Sequence, residues 1–527
     1  MLLVGVLLVV LATLGRPPVV DEESYLFLAA QWLADPSHPY AWERSWQPWN
    51  KNESFAFAHP PTHWVWIAIG QKLGLSSVAA LRAWVAIPSS VLFVGAVTLL
   101  CARLSRSREL AMTLWLTSPV TVLALASGLM IDLSGTALAT AGIAFWREGL
   151  SAPSRTAVRW IVAAGSVLGL ACFTKYPHLA WVLLICLHAH YIGRQKLWWQ
   201  FAASFGLVWG LGQAWLFVAH GGFHPWAVLM GADQIERSET AARALGTFVR
   251  LGLLLPALLL CLKKIWWKTI PQSVAIAGVA IWLAPVPQLS QSQTLTLFIY
   301  ATLGALWFLF ALTVLLPRGG QRDSDRFLLG AWCLLGVLSL PLFHNFASTR
   351  YLLPVVLPFA LLASRGFSPG SGKKPAIGFV IGIQAALSAA LLYADTRFAN
   401  AQVELADQVI ERFDAGQFTG EWAFRWRLEA AGWQALGPED TVTGTLVAIE
   451  NAAAREIPEG DLRYRERLLT SDQFFIRLTD PAAQAGYYGE TLGVLPFALS
   501  KAPLDGLRVY EKADAKDAGP PALEPSP

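Results

Sequence analysis

Residues 2–25 read LLVGVLLVVLATLGRPPVVDEESY. Residues 2–15 are apolar, with no basic stretch before them and no small-residue cleavage site after them. They are expected to stay in a membrane as a first span rather than leave as a signal peptide. Pro17-Pro18 ends that span, because proline lacks the N–H that would continue a helix. Three acids follow at once: Asp21, Glu22 and Glu23, with Tyr25 one turn after Asp21 on the same face. Acids at the start of a surface helix are commonplace, since its dipole favours them. A charge beside hydrocarbon is different. It costs several kcal/mol unless it is paired or wet, and such residues mark function by default.

Composition extends this reading to the whole chain. Of 527 residues, 55% are hydrophobic and 14% charged, where a soluble domain is about 25% charged. Mean hydropathy is +0.46. Apolar runs recur to about residue 394, so the fold class is an all-α polytopic membrane protein. The 24 Trp fit membrane interfaces. A net charge of +4 with no basic tract gives no nucleic-acid footprint. Cys101, Cys172, Cys186, Cys261 and Cys333 are scattered through apolar segments, without the spacing of a zinc site or a disulfide framework.

About thirteen spans are expected: 2–16, 79–102, 109–127, 130–147, 158–174, 178–192, 199–219, 246–263, 270–286, 295–316, 327–342, 351–365 and 376–394. Basic residues fill every second loop, for example Arg103, Arg106 and Arg108, or Lys263, Lys264 and Lys268. Those loops are expected to be cytoplasmic. The intervening segments, among them 17–78, 175–178 and 343–350, then lie outside, together with everything after 394. The loop 17–78 is expected to hold two amphipathic helices in the interface plane, Asp21 to Asp35 and Trp64 to Leu73, separated by a polar stretch from Ser45 to Glu53. Residues 395–515 read as a small soluble α/β domain. Its helical patterns run from Val403 to Phe413 and from Trp422 to Gly432. Its strand-like runs are Thr441 to Ile449, Phe474 to Leu478 and Leu507 to Glu511. Residues 516–527, rich in Pro and Ala, are expected to be disordered.

The polar spots all fall on the expected outer side. Asp132 stands at the outer end of an apolar segment, either as a loop residue or as a second carboxylate at the depth of Asp21. Lys175-Tyr176-Pro177-His178 is either interfacial anchoring, since Lys and Tyr snorkel, or part of an anion site. Arg350-Tyr351 poses the same choice, and the guanidinium fork suits phosphate oxygens. His59, before Pro60-Pro61, is either a turn residue or a member of the site. His188 and His190 lie near the inner end of a span and read as structural. A base at Asp21 beside fixed cations suggests proton abstraction next to an anion clamp.

These motifs, in order, resemble the GT-C glycosyltransferases, in particular the protein O-mannosyltransferases and the bacterial aminoarabinose transferases of lipid A. Asp21-Glu22-Glu23-Ser24-Tyr25 is similar to the Asp-Glu-x-x-Tyr signature. His59-Pro60-Pro61, Leu81-Arg82, Asp132, Thr174-Lys175-Tyr176 and Arg350-Tyr351-Leu352-Leu353-Pro354 follow it. The resemblance covers about residues 1–395, the catalytic domain, and reaches more weakly into Gly420 to Arg425 and Leu495 to Ala498. It implies a polyprenyl-phosphate-linked sugar as donor and transfer with inversion to a hydroxyl of a glycan, lipid or protein. Asp21 would be the base and Glu22 its neighbour, orienting the acceptor. Lys175, Arg350, Tyr351 and Arg82 would hold the donor phosphate. Tyr25, His59, Asp132 and Tyr176 are further candidates. It places the protein in a bacterial inner membrane with its site outside, and leaves metal dependence open. One departure stands out: the aminoarabinose transferases carry Lys where this chain has His59. Two other readings remain at this point. One is a transporter or lipid flippase, although charges at the outer surface and the lack of a repeat speak against it. The other is a non-catalytic assembly subunit of the same fold.

Overall fold

The computed structural model describes residues 2–42, 59–231, 237–254, 266–316, 323–344, 346–365, 374–437, 440–451, 462–470, 474–489 and 491–512. The polar stretch Ser45 to Glu53, the expected tail 516–527 and Cys261 lie outside them. The helices in chain order are α1 (Leu2–Thr13), α2 (Glu22–Ala34), α3 (Thr62–Lys72), α4 (Val78–Leu104), α5 (Arg108–Leu116), α6 (Pro119–Ala126), α7 (Ile131–Ser151), α8 (Ser154–Cys172), α9 (Leu179–Tyr191), α10 (Gln195–His220), α11 (His224–Gly231), α12 (Arg237–Leu251), α13 (Trp266–Leu283), α14 (Gln291–Leu315), α15 (Ser324–Phe343), α16 (Leu353–Arg365), α17 (Lys374–Arg412) and α18 (Trp422–Ala430).

Six of the described helices are long and apolar enough to cross a membrane, namely α4, α8, α10, α14, α15 and α17, or seven spans if the bent pair α5–α6 is one. About thirteen had been expected, and the difference has physical causes. The 109–127 run breaks at Ser118-Pro119 and bends by 59°. Ser118 is extended (ψ 132°), as a residue before proline must be. The runs at 2–16, 178–192 and 351–365 form helices of 12 to 13 residues. Part of 246–263 lies outside the described residues. The 130–147 run is a continuous helix, α7, but Asp132 near its start and Arg147 and Glu148 near its end lower its apolar character.

Local sequence sets the helix ends. Ser77 caps α4 by accepting from the Ala80 N–H, and Ser290 with Gln293 forms a capping box on α14. Small residues set the close packing. A Cβ at Gly165 of α8 would meet the Phe201 carbonyl oxygen of α10 at 2.4 Å. Backbone can approach backbone there only without a side chain, the usual device where lipid supplies no hydrophobic drive.

The amphipathic helices of the first loop form as expected. Tyr25, Leu28 and Ala29 of α2 join Trp64, Ile67 and Ala68 of α3 in a separate core over Leu81, Val85 and Phe173. The chain then ends in a mixed region. Helix α17 runs without a break through the expected junction at 394. Beyond it, five strands form one sheet in the spatial order Gln434–Ala435, Gln417–Thr419, Thr445–Ile449, Asp505–Lys512, Leu462–Thr470. The first three are parallel and the last two pairings antiparallel. The strand Leu462–Thr470 had not been anticipated.

Candidate functional site

The turn into α2 is made by Val20, whose φ of 47° lies in the left-handed region. A β-branched residue there is strained, and the surrounding structure must hold it. The turn leaves Asp21 at the helix start, its side chain 37% exposed. Its partner is Arg350, whose Nη2 donates to Oδ2 at 2.8 Å. Arg350 sits in the 3₁₀ turn Thr349–Leu352. That turn is tied to the C-terminal region by the Thr349 N–H, which donates to the Tyr487 carbonyl at 2.9 Å.

The chain of charges continues. Arg350 Nε lies 3.6 Å from Asp132 Oδ2, and Lys175 Nζ donates to Asp132 Oδ1 at 2.6 Å. Asp132 opens α7, and Lys175 ends the turn after α8. Lys175 Nζ also stands over the Tyr351 ring, 4.1 Å from its centroid. Asp21, Arg350, Asp132 and Lys175 thus alternate in sign, and the last three are buried. Beside them lies a cavity of about 20 Å³ whose lining includes Asp132, Thr136, Lys175, His178, His344 and Tyr351.

Two aromatic groups stand beside the charged residues. Tyr25 is buried and meets His63 edge-on, centroids 4.9 Å apart. Burial first, then the charges of Asp21 and Asp132, holds its phenol well above the ordinary value, so it stays an O–H donor. Burial drops His63 to about 4. Its Nε2–H therefore donates to the Leu129 carbonyl at 2.7 Å, while Nδ1 accepts from Ser134 at 3.0 Å. Thr62 donates to the Phe173 carbonyl at 2.6 Å. Helix α3 is thereby pinned to the segments that carry Asp132 and Lys175.

Four of the expected residues do not join the cluster in the way the resemblance implied. Glu22 and Arg82 are both 0% exposed and paired at 2.7 Å. Arg82 also donates to the carbonyls of Thr13, Leu14, Arg16 and Pro17, and Glu22 accepts from the N–H groups of Val19 and Leu129. Their polar capacity is spent on holding the chain between α1 and α2. In this arrangement Arg82 faces Glu22 and the backbone rather than Lys175 and Arg350, and Glu22, expected to orient the acceptor, faces Arg82. Tyr176 turns away from Lys175, its hydroxyl meeting His224 Nδ1 at 2.5 Å and accepting from Gln213 at 3.2 Å. The His59 carbonyl accepts from the Tyr40 hydroxyl at 2.8 Å, while its ring stands near enough for its charge to act on Asp132.

Sequence reasoning had not singled out His178, His344 or Tyr487. His178 had been quoted in its motif without a role. Its Nδ1 accepts from Trp181 at 3.1 Å, and its ring sits against Gly135, where a Cβ would come within 2.6 Å of Nε2. His344 stacks on Tyr351 at 4.1 Å.

Solved structures show a distant likeness. ArnT from Cupriavidus metallidurans in the apo state is 16% identical, with a TM-score of 0.42 over 82% of this chain and 84% of that one. The same protein bound to undecaprenyl phosphate gives 16%, 0.43, 83% and 86%. The Archaeoglobus fulgidus oligosaccharyltransferase in the apo form gives 14%, 0.45, 83% and 64%. Both are GT-C glycosyltransferases. At this identity and overlap the likeness carries no residue role or substrate to this chain. No protein-family model and no curated protein matches it.

Proposed function

We propose that this protein is a membrane glycosyltransferase. It moves a sugar from a polyprenyl-phosphate donor to an acceptor hydroxyl, with inversion, on the extracytoplasmic face of a bacterial inner membrane. The supporting observation is the buried line of alternating charges, Asp21, Arg350, Asp132 and Lys175, beside Tyr351. It joins a partly exposed carboxylate to two cations held at the ends of apolar helices.

Asp21 is the most exposed of the four and is the base. It takes the proton of the acceptor hydroxyl as that oxygen bonds to the sugar's anomeric carbon. The bond from that carbon to the phosphate oxygen breaks, and the polyprenyl phosphate leaves with the electron pair. Lys175 and Arg350 face the charge that develops on it, the interaction that commonly supplies most of the rate enhancement. Tyr351 lines the cavity beside the cations, and Tyr25 is a neutral O–H donor near Asp21. A single displacement inverts the anomeric centre. Glu22 and Arg82 act as a brace under Asp21. The basic loops support thirteen crossings with 17–78 and the 395–515 domain outside, several of the crossings being short or bent.

The test is the lipid content of the purified protein. Mass spectrometry of its lipid extract should give a polyprenyl-phosphate sugar. A protein that carries no such lipid and takes none up from donor-loaded nanodiscs contradicts the proposal.

A further inference from the structure

The two cations of the site are both engaged by carboxylates of the same chain. Asp132 spans them with one oxygen each: Oδ1 is 2.6 Å from Lys175 Nζ, and Oδ2 is 3.6 Å from Arg350 Nε. Two non-bridging oxygens of a phosphodiester would be divided between the cations in the same way. The contacts are unequal. Oδ1 accepts a short charged hydrogen bond, whereas Oδ2 is buried and has no hydrogen bond. The group is thus gripped at one end and loose at the other.

Space gives a second constraint. The adjoining cavity measures about 20 Å³, roughly enough for one water. Pockets for small ligands run from about 300 Å³. A phosphodiester that reaches both Lys175 and Arg350 there takes the place of the carboxylate that now spans them. Charge says the same. The two carboxylates already balance the two cations, so an added anion meets no net attraction unless one carboxylate gives way. Without Asp132, Asp21 alone would be left to balance Lys175 and Arg350, and a buried cation without its partner is strongly unfavourable.

We infer that Asp132 is a positioning residue that stands in for the donor's phosphodiester, holding Lys175 and Arg350 in place between turnovers and yielding them when the donor binds. The inference rests on the polyprenyl-phosphate reading above. On product release Asp132 returns and displaces the polyprenyl phosphate. It therefore competes with the ligand and helps expel it.

This role has a sign opposite to that of a structural one. The probe is farnesyl methyl phosphate, a short polyprenyl phosphodiester without a sugar, titrated into detergent-solubilised protein. Asp132→Asn keeps the shape and removes the competing charge, so it should bind the probe at least 10-fold more tightly than wild type. In turnover the variant should show a lower donor KM together with a lower kcat, limited by retained polyprenyl phosphate. A residue that only supports the fold would weaken binding or leave it unchanged. Either result, in a variant that stays monodisperse, overturns the inference. Should the amide variant fail to fold, Asp132→Ser carries the same expectation. A wild-type protein that does not bind the probe overturns the polyprenyl-phosphate reading itself, whereas wild-type binding without tightening in the variant overturns only the role of Asp132.

Discussion

Replacing Arg350 by Ala tests the anion clamp most sharply. Its side chain is 9% exposed, with a 2.8 Å bond to Asp21 and a 3.6 Å approach to Asp132. If a donor phosphate takes up one of these positions, the loss is one hydrogen bond to a charged group, about 1.5–3 kcal/mol. That is about 10- to 150-fold in Kd. Arg350→Lys should recover part of this, because the ammonium keeps the charge but loses the fork. Lys175→Ala should weaken binding similarly, and the two losses should not add. Both cations contact Asp132 and would share one phosphate, and neighbours with a common partner couple by about 0.5 kcal/mol or more. The assay is isothermal titration of each variant and the double variant with undecaprenyl phosphate. A thermal melt should run beside it, since breaking a buried pair costs about 3–5 kcal/mol of stability. Strictly additive losses, or unchanged binding in both single variants, would refute a shared phosphate site and favour interfacial anchoring.

Three further outcomes are expected. Arg82→Ala should lower the melting temperature, and undecaprenyl phosphate should not restore it, because Arg82 serves the α1–α2 connection; a variant as stable as wild type but unable to bind the lipid would reverse that assignment. Stability of the C-terminal region should fall as pH rises from about 4 to 7. Burial lifts Asp505 from its usual 3.8 to about 7. In that window the unfolded chain releases its proton while the folded one keeps it. The penalty reaches about 4 kcal/mol above pH 7. Asp505→Asn should flatten the pH dependence of the denaturation midpoint, and an unchanged slope would count against it. Finally, a cysteine at the exposed Ser290 should react with an impermeant maleimide in intact cells, and one at Ser107 should not; labelling at Ser107 would invert the topology.

The sequence made the membrane class, the two helices of the first loop and the residues that meet in the charge cluster legible, because each charged motif stands where an apolar run ends. It could not distribute the three adjacent acids. Successive residues on a helix point about 100° apart. Asp21 therefore faces Arg350 and Glu22 faces Arg82, while Glu23 accepts from Ser24 and lies near enough to act on Arg425. Tyr176 parts from Lys175 because Lys175 is extended (φ −151°, ψ 118°) where the 3₁₀ turn Tyr176–His178 begins. Hydropathy alone does not show where an apolar run is interrupted: α7 carries Asp132, Arg147 and Glu148 near its ends, and α5–α6 is one apolar run broken by a proline. The strand Leu462–Thr470 escaped notice because its Arg and Glu residues read as a solvated surface. Its alternation becomes informative only once Asp505–Lys512 pairs with it.

The central claim is that Asp21 is the base of a transfer from a polyprenyl-phosphate donor. The most direct measurement compares wild type with Asp21→Asn in proteoliposomes supplied with labelled polyprenyl-phosphate sugars and a membrane acceptor extract. The account predicts transfer by the wild type and a loss of about 10² to 10⁴ in rate in the variant, with undecaprenyl phosphate still bound. Transfer by Asp21→Asn at the wild-type rate would contradict it.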